Sequence, residues 1–151
     1  MNTSPAEALS ALSGIQLLRL FQSNPELRPN IGVLLGAELQ TVEEGHVVFS
    51  IEVRPDHANP LGTVHGGIHA TLLDSAMGCA VHSMLGPGIG YGTLEMKLNY
   101  LRTIQADAPS RLTATGRVLH LGRSTALAEG QVTNEAGKLI AHGTETCMIY
   151  R

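Results

Sequence analysis

From Val47 the chain alternates: Val47, Phe49, Ile51 and Val53 are apolar, while Ser50, Glu52 and Arg54 are polar. A period of two with one apolar phase predicts a strand buried on one face. After a loop-like stretch over residues 55–63, with two prolines, Asp56, Asn59 and Gly62, the period changes. Residues 64–85 contain no proline, and Ile68, Leu72, Ala76, Cys79, Ala80 and Ser83 fall on one helical stripe. The spacing predicts a long, mainly apolar helix whose small residues Ala70, Ser75, Ala76, Gly78 and Ala80 let a sheet close around it. Gly86-Pro87-Gly88 ends it, and strand patterns follow. In the first, Leu94, Met96, Leu98 and Tyr100 alternate with Thr93, Glu95, Lys97 and Asn99. Three more cover residues 111–121, 124–133 and 138–150, separated at hairpin distance by Gly122-Arg123 and Asn134-Glu135-Ala136-Gly137.

Before Val47, Leu9, Leu12, Ile15, Leu17, Leu18 and Phe21 recur mostly at helical spacing behind Pro5-Ala6-Glu7, with Ser4 as a cap. Asn24-Pro25 and Arg28-Pro29-Asn30 close this segment, and a strand pattern begins at Ile31. The order is helix, two strands, long helix, four strands. It predicts an α+β domain, with an antiparallel sheet against one central helix over residues 31–151 and an N-terminal helical extension over residues 1–30. No repeat or low-complexity segment interrupts it.

A chain of 151 residues buries about two thirds of its unfolded surface and supports one core. With 43% apolar, 15% charged and 3% aromatic residues, that core is built from Leu, Val, Ile, Ala, Gly and Met, and some apolar surface is left for other subunits to cover. A net charge of −3 supplies no basic field for nucleic acid, which is set aside as a partner. The N-terminal apolar stretch carries Arg19, lacks a basic leader and is too short to span a bilayer, so no membrane association is expected. Cys79 and Cys147 lie in periodic apolar segments without a CxxC pair, and a reducing, cytoplasmic location is the expectation.

Asn59-Pro60-Leu61-Gly62-Thr63-Val64-His65-Gly66-Gly67, followed by Leu72-Leu73-Asp74, resembles the signature of hotdog-fold acyl-CoA thioesterases of the phenylacetate-degradation (PaaI-like) group, within the 4-hydroxybenzoyl-CoA thioesterase superfamily. A lone HGG is weak. HGG with Asn six residues before the His, Asp nine after it, and a later strand like Gly92-Thr93-Leu94-Glu95-Met96 is strong, and the likeness covers about residues 31–149. The resemblance implies a hotdog fold, a six-stranded antiparallel sheet wrapped around a central helix. It implies a homodimer with active sites at its interface, assembling into a homotetramer. Carried over residue by residue, Asp74 matches the catalytic carboxylate, Gly66 the backbone donor to the thioester oxygen, and Asn59 the polar residue near the carbonyl or the attacking water. Thr93 falls where relatives place a Ser or Thr beside that water.

These residue types suit thioester hydrolysis. Negative charge develops on the carbonyl oxygen in the transition state, and fixed donors there accelerate the reaction. Gly66 and Gly67 open a helix, where first-turn N–H groups are unpaired and the dipole is positive. A carboxylate serves as nucleophile or as base for water, and Asp74 is the sole acidic residue between Asp56 and Glu95. It follows Gly67 by seven residues, roughly 10 Å along a helix, too far for one subunit to use both at one carbonyl. A site shared across a two-fold axis removes the difficulty.

Each residue also has a plainer reading. Asp74 could be a solvated helix residue, and Asn59 could shape the turn before Pro60. His65 could be a general base, or could hold the glycine turn by hydrogen bonding. Thr93 could be an ordinary strand threonine. His65 and His69 have metal-ligand spacing without a convincing third ligand, so no metal is expected. For the coenzyme A phosphates the candidates are Arg102, Arg111, Arg117 and, first, Arg123 in the turn with Gly122 and Ser124. The substrate class implied is an acyl-CoA ester, with coenzyme A part of the substrate and no separate cofactor. The competing functions are a non-catalytic acyl-CoA-binding domain and, with its characteristic His-x4-Pro-Gly motif missing, a hotdog hydratase or dehydratase.

Overall fold

The computed structural model describes residues 9–27 and 30–151. Among these, six antiparallel strands form one sheet: β1 (Ala37–Glu43), β2 (His46–Glu52), β3 (Gly90–Tyr100), β4 (Arg111–Leu121), β5 (Thr125–Asn134) and β6 (Leu139–Tyr150). Their order in space is β1-β2-β4-β5-β6-β3. Three α-helices are described, α1 (Gly14–Ser23), α2 (Asn30–Leu35) and α3 (Gly66–His82). The chain leaves β2, runs across the sheet as α3, forms the far edge as β3, and returns to pair β4 with β2. The expected helix wrapped by an antiparallel sheet is the architecture found. No described helix is long and apolar enough to cross a membrane.

The close approach of helix to sheet comes from both sides. Gly116, Gly130 and Gly143 are successive cross-strand partners on β4, β5 and β6. A Cβ on Gly116 would collide with the Ala76 carbonyl of α3, and one on Gly130 would lie 2.9 Å from Met77 Cγ. This row of missing side chains is a trough in which the helix backbone rests directly on the strands. Leu72, Leu73, Ala76, Met77, Ala80 and Val81 are buried there. The buried face is rotated from the stripe predicted through Ile68 and Cys79, both only half-buried. The curved sheet covers more than one helical stripe and takes in Leu73 and Met77.

The N-terminal segment differs from its prediction in two ways. Ser4 and Pro5 lie outside the described residues, and α1 begins at Gly14, where the Gln16 side chain accepts the Ser13 N–H at 2.9 Å. The helix buries Leu18 against Leu39, Val42 and Ala80. The strand expected from Ile31 is instead the helix α2, and β1 starts at Ala37. A short apolar run fits either period. Here Gly36, at φ 70°, stops a helix, and the Arg54 guanidinium donates to the freed Leu34 carbonyl at 2.8 Å.

The alternation predicted for β3 also breaks. Thr93 pairs with Cys147 and Glu95 with Thr146, so Leu94 is an extra residue in a β-bulge. Leu94, expected inside, is 53% exposed. Beyond the bulge Met96 and Leu98 pack on the core as expected. Before it the parity is reversed, and Thr93 turns toward α3.

Candidate active site

Two clusters lie along the seam between α3 and β3. The first is built by the loop that leads into the helix. Asn59 Oδ1 accepts the N–H groups of Leu61 (2.9 Å) and Thr63 (3.2 Å), and its Nδ2 donates to Thr63 Oγ1 (2.8 Å). The Asn59 side chain thus folds its own turn, with Gly62 at φ 80° completing it. The His65 N–H then donates to the His57 carbonyl, which sets His65 extended at the N-cap of α3. His65 Nδ1 accepts the Gly67 N–H at 2.8 Å. That bond places the ring proton on Nε2 and makes His65 a helix cap.

It also separates the two glycines. The Gly67 N–H is occupied, whereas the Gly66 N–H has no acceptor among the described residues. Tyr100 lies over Gly66, its hydroxyl donating to the Gly66 carbonyl at 3.2 Å. With His69, Arg102, Thr63 and Val64 they line a cavity of about 140 Å³. His69 is buried with Nδ1 unpartnered, and burial lowers its pKa, which favours the neutral ring.

The second cluster centres on Asp74, eight residues and roughly 12 Å along α3 from Gly66. Thr93 Oγ1 lies 2.9 Å from Asp74 Oδ1 and 3.0 Å from Oε1 of Glu145 on β6. Cys147 Sγ donates to the same Glu145 oxygen at 2.9 Å. Glu145 has no exposed surface, and its Oε2 has no partner. Burial pushes its pKa up; the Asp74 and Glu95 charges add to this, against the opposing Cys147 and Thr93 hydrogen bonds. Burial, with the Asp74 charge adding, drives the Cys79 thiol up to about 12. Cys147 is raised by burial and by Glu145. Neither cysteine is a thiolate nucleophile near neutral pH.

Sequence reasoning did not single out Glu145, although a signal was present. Ala141, Gly143, Glu145, Cys147 and Ile149 share one phase of the last strand, and all are buried. An acid in the apolar phase of a strand is an anomaly that asks for a partner.

The arginines divide. Arg111 pairs with Glu52 (2.8 Å) and Glu38 (3.2 Å), and Arg117 with Glu129 (2.6 Å), which ties both to structural ion pairs. Arg102 lines the Gly66 cavity. Arg123 and Ser124 sit in the β4–β5 turn with exposed side chains. The Ser124 carbonyl accepts the Ile149 N–H, so this turn lies at the Gly90 end of β3, nearer Thr93 than Tyr100. No group of three or more His, Cys, Asp or Glu among the described residues is placed to hold a metal.

Comparison with known proteins gives a consistent result. The sequence model of the thioesterase superfamily matches residues 61–141, which include Gly66, Asp74 and Thr93. The chain is 32% identical over 106 residues to a 1,4-dihydroxy-2-naphthoyl-CoA hydrolase of Listeria monocytogenes, covering 70% of this chain and 84% of that protein. It is 33% identical over 111 residues to human acyl-coenzyme A thioesterase 13, covering 72% and 76%. A variant of the phenylacetic acid degradation protein PaaI from Thermus thermophilus superposes with a TM-score of 0.72 at 32% identity, over 80% of this chain and 98% of that one. The chain belongs to the thioesterase superfamily, as a hotdog-fold enzyme of the PaaI-like kind.

Proposed function

We propose that this chain hydrolyses acyl-coenzyme A thioesters to the free acid and coenzyme A, with Asp74 as the reacting carboxylate and the Gly66 N–H as the donor to the carbonyl oxygen. The observation that carries the reading is the Thr93–Asp74 hydrogen bond, made at the open edge of β3. It occupies Asp74 Oδ1 and leaves Oδ2 for water or for the thioester carbon. As base, Asp74 removes a proton from water while the water oxygen attacks the carbonyl carbon. As nucleophile, it forms a mixed anhydride that water then cleaves. In both routes the negative charge on the carbonyl oxygen is met by the Gly66 N–H, the C–S bond breaks, and coenzyme A leaves as its thiolate. One such donor is worth about 3 kcal/mol.

The separation of Gly66 from Asp74 supports a homodimer. Among the described residues β3 has β6 on one side and an unpaired edge on the other, with Leu94, Tyr100 and Leu101 half exposed. An unpaired edge on a strand of 11 residues is a ready surface for a second copy. Antiparallel pairing of two β3 strands about Lys97 keeps Met96 of one subunit opposite Leu98 of the other and, with Leu94 as the extra bulge residue, sets Thr93 of one subunit opposite Tyr100 of the other. The Asp74 of each subunit then faces the partner's Gly66. Two such dimers assemble into a tetramer.

Arg102 at the cavity and Arg123 with Ser124 at the turn are the groups for the coenzyme A phosphates, and no separate cofactor takes part. Two free cysteines support a reducing, cytoplasmic setting. A panel of aromatic, short-chain and medium-chain acyl-CoA esters, followed with a thiol reagent, tests the function. Release beyond one equivalent of thiol per subunit is expected; binding without release refutes hydrolysis.

A further inference from the structure

The contact between Thr93 and two carboxyl groups poses a problem of hydrogen count. A hydroxyl carries one hydrogen, yet Thr93 Oγ1 lies within hydrogen-bond distance of both Asp74 Oδ1 (2.9 Å) and Glu145 Oε1 (3.0 Å). If both carboxyls were ionised, one contact would set lone pair against lone pair. One of the two therefore carries a proton. Asp74 is half-buried, and its one side-chain hydrogen bond engages Oδ1 and not Oδ2. Glu145 has no exposed surface, and Oε2 is unpartnered. The ionisable groups facing Glu145 are Asp74 and Cys79 on α3, Tyr91 and Glu95 on β3, and Cys147 on its own strand. All are acids and none is a cation, so a charge on Glu145 would be buried without compensation.

We propose that Glu145 is a positioning residue for this reaction: held neutral, it donates its proton to Thr93 Oγ1, and thereby points the Thr93 hydroxyl hydrogen at Asp74 Oδ1. The chain runs in one direction, from the Glu145 O–H to Thr93 and from the Thr93 O–H to Asp74. Cys147 supplies a second, weak bond to Glu145 Oε1. Thr93 cannot turn away without leaving a buried donor unmatched. Asp74 is held with Oδ1 engaged and Oδ2 directed to the reacting centre. The inference rests on the assignment of Asp74 to the chemistry, and it extends the site to a residue that touches no substrate.

The test uses the full-length protein and an acyl-CoA ester that the wild type hydrolyses. Glu145→Leu is expected to lower kcat by about tenfold or more with KM little changed, the mark of a transition-state effect. Thr93→Val should do the same, and the double variant should be no slower than the worse single one, because both act through one chain. Glu145→Gln keeps a donor that cannot ionise and should recover most of the loss seen in Glu145→Leu. Infrared spectroscopy supplies a readout independent of turnover. A protonated-carboxyl carbonyl stretch should persist at neutral pH in the wild type and in Asp74→Asn, and vanish in Glu145→Gln. Glu145→Gln falling as far as Glu145→Leu overturns the proposal. So does a fully active Glu145→Leu, or a wild type without that band. If Asp74→Asn is as active as wild type, the catalytic assignment fails instead, while the infrared band still decides where the proton sits.

Discussion

Thr93 and Asp74 are 19 positions apart on different elements, yet their side chains meet at 2.9 Å. Two features bring them together. Asp74 leaves α3 on the side away from Leu72 and Leu73, which lock the helix into the sheet. Thr93 faces that helix because the Leu94 bulge reverses the parity of β3 at this one point. A regular strand with Met96 and Leu98 inside would turn Thr93 out.

That contact makes Thr93 a test of geometry. Thr93→Ser keeps the hydroxyl and should retain activity within about threefold. Thr93→Val keeps the shape and should lose at least about tenfold in kcat, since only the hydrogen bond is removed. Steady-state kinetics of the two variants on one acyl-CoA ester checks this. Equal rates would detach Thr93 from the chemistry.

The order of elements was largely legible in the sequence, and the contacts within the candidate site only in part, for physical reasons. That order followed from the change of period at Val64 and its reversal after Gly88, whereas the hotdog fold and the roles expected of the HGG turn and Asp74 came from the family resemblance that those residues carry. Glu145 was missed because two residues 71 positions apart show no sequence sign of sharing Thr93 as a neighbour. The β3 bulge was missed because one inserted residue leaves the alternation intact on either side and shifts only its phase. The strand expected at Ile31 failed because a short apolar run does not choose its own period; Gly36 and Arg54 chose it.

Gly66 permits a separation of steric from electronic effects. A Cβ at this position would lie 3.3 Å from the Tyr100 ring, which is 55% exposed and can move aside. Gly66→Ala adds that carbon and keeps the N–H. Gly66→Pro adds it and removes the N–H at the first helical position, where proline is tolerated, and His65 at ψ 136° suits a following proline. The proline variant should turn over about a hundredfold more slowly than the alanine variant while unfolding at a similar temperature. Equal rates would remove the Gly66 N–H from the reaction.

Glu145 predicts a sign for the pH dependence of stability. Its folded-state pKa is raised, mainly by burial, above that of the unfolded chain. Below the unfolded value both states hold the proton and Glu145 makes no difference. As pH rises from there toward the folded value, the unfolded chain releases a proton that the native state keeps, and stability falls. Glu145→Gln should flatten this part of the profile in denaturant titrations between acid and neutral pH. An unchanged slope would contradict a neutral buried Glu145.

A site divided between subunits, as proposed, makes a prediction for mixed subunits. Asp74→Asn and Gly66→Pro are each expected to be nearly inactive alone. In a heterodimer one site receives the intact Asp74 and the intact Gly66 N–H, while the other receives both lesions. Activity should return when subunits exchange, to at most about half the wild-type value per dimer. Mass spectrometry of the mixture establishes the exchange. Heterodimers without recovered activity would rule out a site divided between subunits.

The most direct test of the account is the rate of thiol release from an acyl-CoA ester by wild type and by Asp74→Asn at equal subunit concentration, with thermal unfolding of both recorded. Many equivalents of coenzyme A per wild-type subunit are expected, and at least about a hundredfold slower release from an Asp74→Asn protein that unfolds at the same temperature. A well-folded Asp74→Asn protein at the wild-type rate would place the chemistry elsewhere, and a wild type that releases no thiol would contradict the account.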